Sequence, residues 1–183
     1  MTDRDVGGYG SVAKLLHWLV VALLIVQYAI GWLMPDIRRG MVPGTAMNLH
    51  MSIGFLVLGV IVARFLWRLT HRVVAESSLP PWQRLSSEGV HWLLYVLVLA
   101  TTITGWTFAS MRGWSVSLFW AVPLPALAAE GSPVGRAIGE LHETLIWVLA
   151  VLIVAHVLAA LLHLFVYRDG IMQRMLPRGW LSQ

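Results

Sequence analysis

The stretch Glu140-Leu-His-Glu-Thr-Leu-Ile-Trp-Val-Leu-Ala-Val-Leu-Ile-Val-Ala-His156 decides the fold. It is almost continuously apolar, yet it carries His142 and His156, fourteen residues apart. On an α-helix that interval is ~21 Å of rise, and at about 100° per residue the second imidazole returns to within ~40° of the first. Two imidazoles therefore leave one side of one helix at two depths. A run this long and apolar reads as a membrane span, and ionisable groups inside a span are costly enough to be read as functional.

Working outward, the rest of the chain repeats the pattern. Of its 183 residues, 58% are hydrophobic and only 12% charged, and the apolar residues fall in long runs rather than an amphipathic pattern. The expectation is an all-α, integral membrane four-helix bundle forming a single domain, with spans over 11–34, 47–69, 89–109 and 140–166. The first run is long, lacks a small-residue cleavage site and ends in Gly31-Trp-Leu-Met-Pro35, so it reads as a retained span rather than a signal peptide. The linker 73–88, with Ser77-Ser78-Leu79-Pro80-Pro81, is expected to break helix and lie at the surface. Trp92 and Trp106 are expected at the two membrane interfaces. The longest connection, 110–139, contains Trp114, Phe119, Trp120, Pro123 and Pro125 and is expected to rest on the membrane surface. Residues 1–10 and the basic tail 167–183 are expected to be interfacial.

The net charge of +4 does not argue for nucleic acid, because the basic residues flank apolar spans. With four spans both termini share a side, which collects Arg4, Lys14, Arg64, Arg68, Arg72, Arg84, Arg168, Arg174 and Arg178. The opposite side has Arg38, Arg39, Arg112 and Arg136. Positive charge is retained on the cytoplasmic face, so the termini are expected inside.

Orientation sorts the histidines by depth. His50 and His142 fall near the outer surface and His17 and His156 near the inner one, so each pair draws on two helices. There is no cysteine, which excludes thiolate sites, iron–sulfur clusters and covalent haem attachment through Cys-x-x-Cys-His. Two facing imidazoles suit the axial positions of a haem iron, whereas zinc favours four ligands or three plus water. Saturated axial ligation leaves no place for oxygen, which favours outer-sphere electron transfer.

Fourteen residues beyond His17, His91 and His50 stand Gly31, Gly105 and Arg64. Glycine admits a flat ring close to the backbone. Arg64 is expected to meet an inner haem propionate and Arg112 an outer one. Each has a bland alternative. His50 and His142 taken singly are as well explained as helix-start residues at an interface, Gly31 and Gly105 as packing glycines, and Glu143 as a helix-start carboxylate. His71, His91 and His163 read as interfacial or hydrogen-bonded side chains, with the inner rim near His91 and His163 the expected place for a quinone. His156, deep in an apolar run, is hardest to explain blandly.

Several short pieces, in order and spacing, resemble the bacterial cytochrome b561 family of small four-helix, di-haem membrane cytochromes. They are Leu16-His17-Trp18-Leu19, Leu49-His50-Met51-Ser52, Ala63-Arg64-Phe65, His91 to Tyr95, Leu141-His142-Glu143-Thr144-Leu145 with His156, and Arg174-Met175-Leu176-Pro177-Arg178. The resemblance implies two non-covalent, bis-histidine b haems on His17, His50, His142 and His156. It also implies electron transfer across the bacterial cytoplasmic membrane to or from quinones such as ubiquinone, with superoxide oxidation as one described activity. A basic outer rim of Arg38, Arg39, Arg112 and Arg136 would steer such an anion. Two further readings stand beside this one. One is a haem-bearing membrane anchor of a larger dehydrogenase or hydrogenase; the other is a cation transporter with histidine ligands. A homodimer or a protein redox partner stays open.

Overall fold

The computed structural model describes residues 9–38, 40–71 and 80–176. Arg4, Arg39, Arg72, Arg178 and the segment Ser77-Ser78-Leu79 lie outside the described residues. Four long helices dominate: α1 (Ser11–Leu33), α2 (Thr45–Thr70), α3 (Pro81–Met111) and α4 (Gly135–Leu162). All four are long and apolar enough to cross a membrane. Contacts join α1 chiefly to α2 and α3 chiefly to α4, with α2 against α3. The α1 and α4 helices meet through side chains, where the Tyr28 hydroxyl donates to the Ile146 carbonyl at 2.8 Å.

Local chemistry sets the helix ends. Pro35 disfavours helical geometry in the residue before it, and Met34 is extended (φ −73°, ψ 146°), ending α1 one residue short of expectation. The expected start of the third span, residue 89, needs correction. Pro80 and Pro81 start a helix rather than break one: Pro81 takes the first helical position, where a missing N–H goes unneeded, and the Pro80 carbonyl accepts from Gln83 and Arg84. Similarly, α4 begins at Gly135 rather than 140, its first turns carrying an exposed Arg136–Glu140 pair at 2.8 Å. It ends in a π-helical turn, His163–Tyr167.

The core lies midway between the expected histidine levels. Val57, Val98 and Leu149 are 1%, 3% and 2% exposed, and each stands seven residues from the two-level positions of its helix. Leu24, at the same height on α1, packs against this cluster. An apolar waist therefore divides the bundle. Outside, α4 exposes Trp147, Val151, Val154 and Leu158, the stripe expected of a lipid-facing helix.

The outer connection contains a small antiparallel hairpin, β1 (Ser117–Leu118) with β2 (Val122–Pro123), an addition to the all-helical expectation. Buried Ser52 of α2 holds it, its hydroxyl accepting from Phe119 N at 2.9 Å and lying 3.1 Å from the Ser117 carbonyl. Two indoles are structural ties as well: Trp106 donates to the Pro125 carbonyl and Trp114 to that of Met41. Trp92 packs with Phe65, Tyr95 and the Arg68 guanidinium. The tail folds back on α1, where Lys14 and Trp18 donate to the carbonyls of Leu176 and Met175. Leu149→Ala opens a void in the waist and is expected to destabilise the bundle by about 2–5 kcal/mol, read as a lower thermal denaturation midpoint in detergent. An unchanged midpoint would show that the waist is not a close-packed layer.

Candidate functional site

The two histidine levels differ in construction. At the level expected to lie outside, His50 of α2 and His142 of α4 line one cavity of about 1360 Å³, together with Gly31, Gly105, Gln27, Tyr28, Thr101 and Arg112. That exceeds the ~300–1,000 Å³ usual for small-molecule sites. His142 donates from Nδ1 to the Thr101 carbonyl at 2.9 Å, with the Thr104 hydroxyl at 3.4 Å. This fixes the proton on Nδ1 and leaves the Nε2 lone pair free, the state in which a histidine binds metal.

Gly105 makes that bond possible. It stands four residues after Thr101, so a side chain there would screen the Thr101 carbonyl; a Cβ added to it would lie only 2.7 Å from His142 Cε1. The flat ring that this glycine admits is thus the imidazole. Gly31 faces His50 with more room, an added Cβ standing 3.7 Å from Cε1. His50 Nε2 accepts from the Gln27 side-chain amide at 3.1 Å, while its Nδ1 is buried without a partner. Arg112 donates to the Arg38 carbonyl at 2.6 Å and packs 4.9 Å from the Trp114 ring centre, and its Nε is buried without a partner.

At the inner level, the His17 and His156 ring centres are 6.4 Å apart. Two imidazoles bonded at about 2.0 Å to opposite sides of one metal stand with centres roughly 6 Å apart. His91 joins them, 5.3 Å from His156, closer than two imidazoles on opposite sides of one metal would stand. It donates from Nδ1 to the Ser87 carbonyl at 2.6 Å. Arg64 reaches across to α1, donating to the Ala13 carbonyl at 2.8 Å, one turn before His17. The remaining histidines lie apart: His71 stacks on Trp67 at the end of α2, and His163 donates to Asp169 at 2.5 Å where the tail leaves α4.

Sequence reasoning missed two members. Gln27 is the one amide in the apolar run of α1, a signal that went unused. His91, read as interfacial or hydrogen-bonded and as part of the rim expected to take a quinone, is hydrogen-bonded as expected, but its nearness to His156 was not read from the sequence. Among the described residues no three His, Cys, Asp or Glu side chains converge to hold a metal ion unaided.

A membrane bundle with paired imidazoles at two levels is the architecture of a b-type membrane cytochrome. The family model described as prokaryotic cytochrome b561 matches residues 8–178, and the chain belongs to that family. It is 32% identical over 173 residues to the Escherichia coli K12 protein named cytochrome b561 homolog 2, covering 93% of this chain and 92% of the relative. It is 30% identical over 166 residues to the Yersinia pestis protein named probable superoxide oxidase CybB, covering 89% and 92%. A cytochrome b562 of Cereibacter sphaeroides is 27% identical over 177 residues, covering 93% and 97%. Family members bind haem b and transfer electrons in membranes, and the four apolar spans fit a multi-pass bacterial membrane protein. Gly105→Ala is expected to drive the His142 ring off the Thr101 carbonyl and lower the haem content of the purified protein. Full haem content in that variant would show that the close approach is dispensable.

Proposed function

We propose that this chain carries electrons across the bacterial cytoplasmic membrane through two haem b groups, linking a quinone pool, ubiquinone in particular, to an outer-face donor such as superoxide. The observation that carries the reading is the 6.4 Å separation of the His17 and His156 ring centres, at one of two levels separated by a closed apolar waist. Bound haem supplies reversible one-electron chemistry. His50 and His142 hold the outer group, His17 and His156 the inner. With two histidines given to each haem, the site would be confined to electron transfer.

The residues present fit such a group. His142 offers an unprotonated Nε2, and the buried Arg112 Nε is a donor still in want of an anion, as a propionate would supply. Arg64 takes that role at the inner level. The lysine and arginine asymmetry supports cytoplasmic termini. His91 and the His163–Asp169 pair give the inner rim the hydrogen-bonding groups a quinone head needs. Superoxide is named for the Yersinia relative, and Arg38 and Arg112 at the mouth of the outer cavity are the groups that would attract an anionic donor. The net reaction is two superoxide ions to two dioxygen, each losing one electron, with one quinone and two protons becoming quinol.

The test is a haem-to-protein ratio with a visible redox spectrum. Two low-spin haems per chain are expected, falling to one in His17→Ala or His156→Ala and to the other one in His50→Ala or His142→Ala. Retention of both haems in any of these variants would break the assignment. Quinone reduction by superoxide with the protein purified alone is the expected activity; strict dependence on a soluble partner would move the reading to a membrane anchor subunit.

A further inference from the structure

The inner histidines stand on helices from opposite halves of the bundle. His17 belongs to α1, which packs chiefly on α2, and His156 to α4, which packs chiefly on α3. Among the described residues, the hydrogen bond that joins α1 to α4 directly is the one from Tyr28 to the Ile146 carbonyl. Tyr28 lies eleven residues beyond His17, about 16 Å along the helix. That tie is too remote to hold the 6.4 Å between the two ring centres.

A nearer tie comes from the segment that follows α4. Beyond the π-helical turn the chain reverses, with Arg168 at φ 52° and Gly170 at φ 76°. The Asp169 carboxylate secures the reversal at both oxygens, one accepting from His163 Nδ1 and the other from Ile171 N. The segment then crosses to α1. Lys14 donates to the Leu176 carbonyl at 2.9 Å and Trp18 to the Met175 carbonyl at 3.0 Å, while the Arg174 guanidinium stands 5.7 Å from the Tyr9 ring centre. The Leu176 side chain is buried. Lys14 and Trp18 flank His17, three residues before it and one after.

We propose that the segment from Asp169 to Leu176 is a clasp that sets the spacing of the inner ligand pair, with Lys14 and Asp169 as positioning residues for the inner haem. The inference rests on the assignment of His17 and His156 to one haem.

The clasp acts by preorganisation. Arg64 holds the first turns of α1 to α2 through the Ala13 carbonyl, but a link to α2 leaves the distance to α4 free. Two axial ligands must meet one iron at one spacing, and freedom between their helices is lost on binding at a cost in affinity. A segment continuous with α4 and hydrogen-bonded on both sides of His17 removes part of that freedom beforehand. It also steadies the ring planes. His17 and His156 cross at 80°, and Trp18, edge-on to His17 at 5.5 Å, is itself held by the segment. His142 has its own hydrogen bond to Thr101, and the clasp touches neither outer histidine. Its effect is therefore confined to one level.

Lys14→Met removes the donor beside His17, and Asp169→Ala frees the other end of the segment. Each should weaken inner haem binding by up to about tenfold, the worth of one hydrogen bond to a charged group, and leave the outer site unchanged. Lys14→Arg still donates and should bind haem as the parent does. A spectroscopic signature separates positioning from general damage: the anisotropy of a low-spin ferric electron paramagnetic resonance signal reports the angle between the two imidazole planes. The inner signal should broaden in Lys14→Met while the outer signal keeps its shape.

The experiment is haemin titration of the haem-free full-length chain in detergent, followed by resonance spectra of the loaded protein, with His156→Ala identifying the inner phase. Unchanged inner affinity in Lys14→Met or Asp169→Ala, an equal loss at both levels, an inner signal that does not broaden, or failure of Lys14→Arg to restore binding overturns the proposal while leaving the haem assignment intact. Retention of both binding phases in His156→Ala overturns the assignment and the proposal together.

Discussion

A neutral imidazole carries one donor and one acceptor, and inside an apolar span neither can be left to water without a penalty of about 1–3 kcal/mol. The arrangement of both levels follows from that constraint. His142 donates a hydrogen bond to the Thr101 carbonyl and His91 to that of Ser87, and away from both levels His163 donates to the Asp169 carboxylate. Each keeps one nitrogen in reserve. His50 departs from the pattern, its acceptor nitrogen taken by Gln27 and its donor unmatched. Discharging the donor into a main-chain carbonyl is economical, because a helical carbonyl already bonded to the N–H four residues on has a second lone pair to offer. Reaching it requires that the residue covering it be small, which is why glycine recurs opposite a histidine.

The fourteen-residue interval does a second job. Halving it gives seven, and the seventh residue beyond His17, His50, His91 and His142 is Leu24, Val57, Val98 and Leu149 in turn. These side chains close the middle of the bundle, so the same periodicity that stacks two polar levels puts an apolar layer between them. A slip of one residue in any helix would turn a polar group into the waist and an aliphatic one into a cavity. The two-level layout and the closed middle are one constraint seen at different heights.

This explains what could be read from residues alone. The four long helices and the sorting of the histidines into two levels came from hydropathy, periodicity and the alternating direction of the spans, all properties of side chains along a helix. Boundaries governed by backbone chemistry were less visible: the paired prolines at 80 and 81 read as breakers until their position at a helix start was known. The role of Gly105 was half legible. Its spacing pointed to a flat group nearby, but which flat group depended on how closely α3 and α4 approach. The partners of the ring nitrogens were hidden, because a main-chain carbonyl is present at every residue and leaves no mark in the sequence. The inner cluster of His17, His91 and His156 needed three helices to be placed before it existed at all.

The outer connection, whose composition foretold only a surface-seeking segment, obeys the rule that governs the imidazoles. Non-helical backbone near a membrane must have its N–H and C=O groups satisfied by protein, and here polar side chains from the helices do so. Ser52 takes the Phe119 N–H, Ser110 takes that of Leu127, and Trp106 gives its indole N–H to the Pro125 carbonyl. The hairpin tip places Phe119 and Trp120 at φ 48° and 61°, a left-handed geometry that costs about 1–2 kcal/mol for each non-glycine residue. That strain persists because Ser52, 1% exposed and two residues beyond His50, grips the strand on the tip's near side. The hairpin is thereby tied to the helix turn that presents an outer histidine. A displacement of that turn reaches the connection through one hydroxyl, and a displacement of the connection reaches the histidine by the same route.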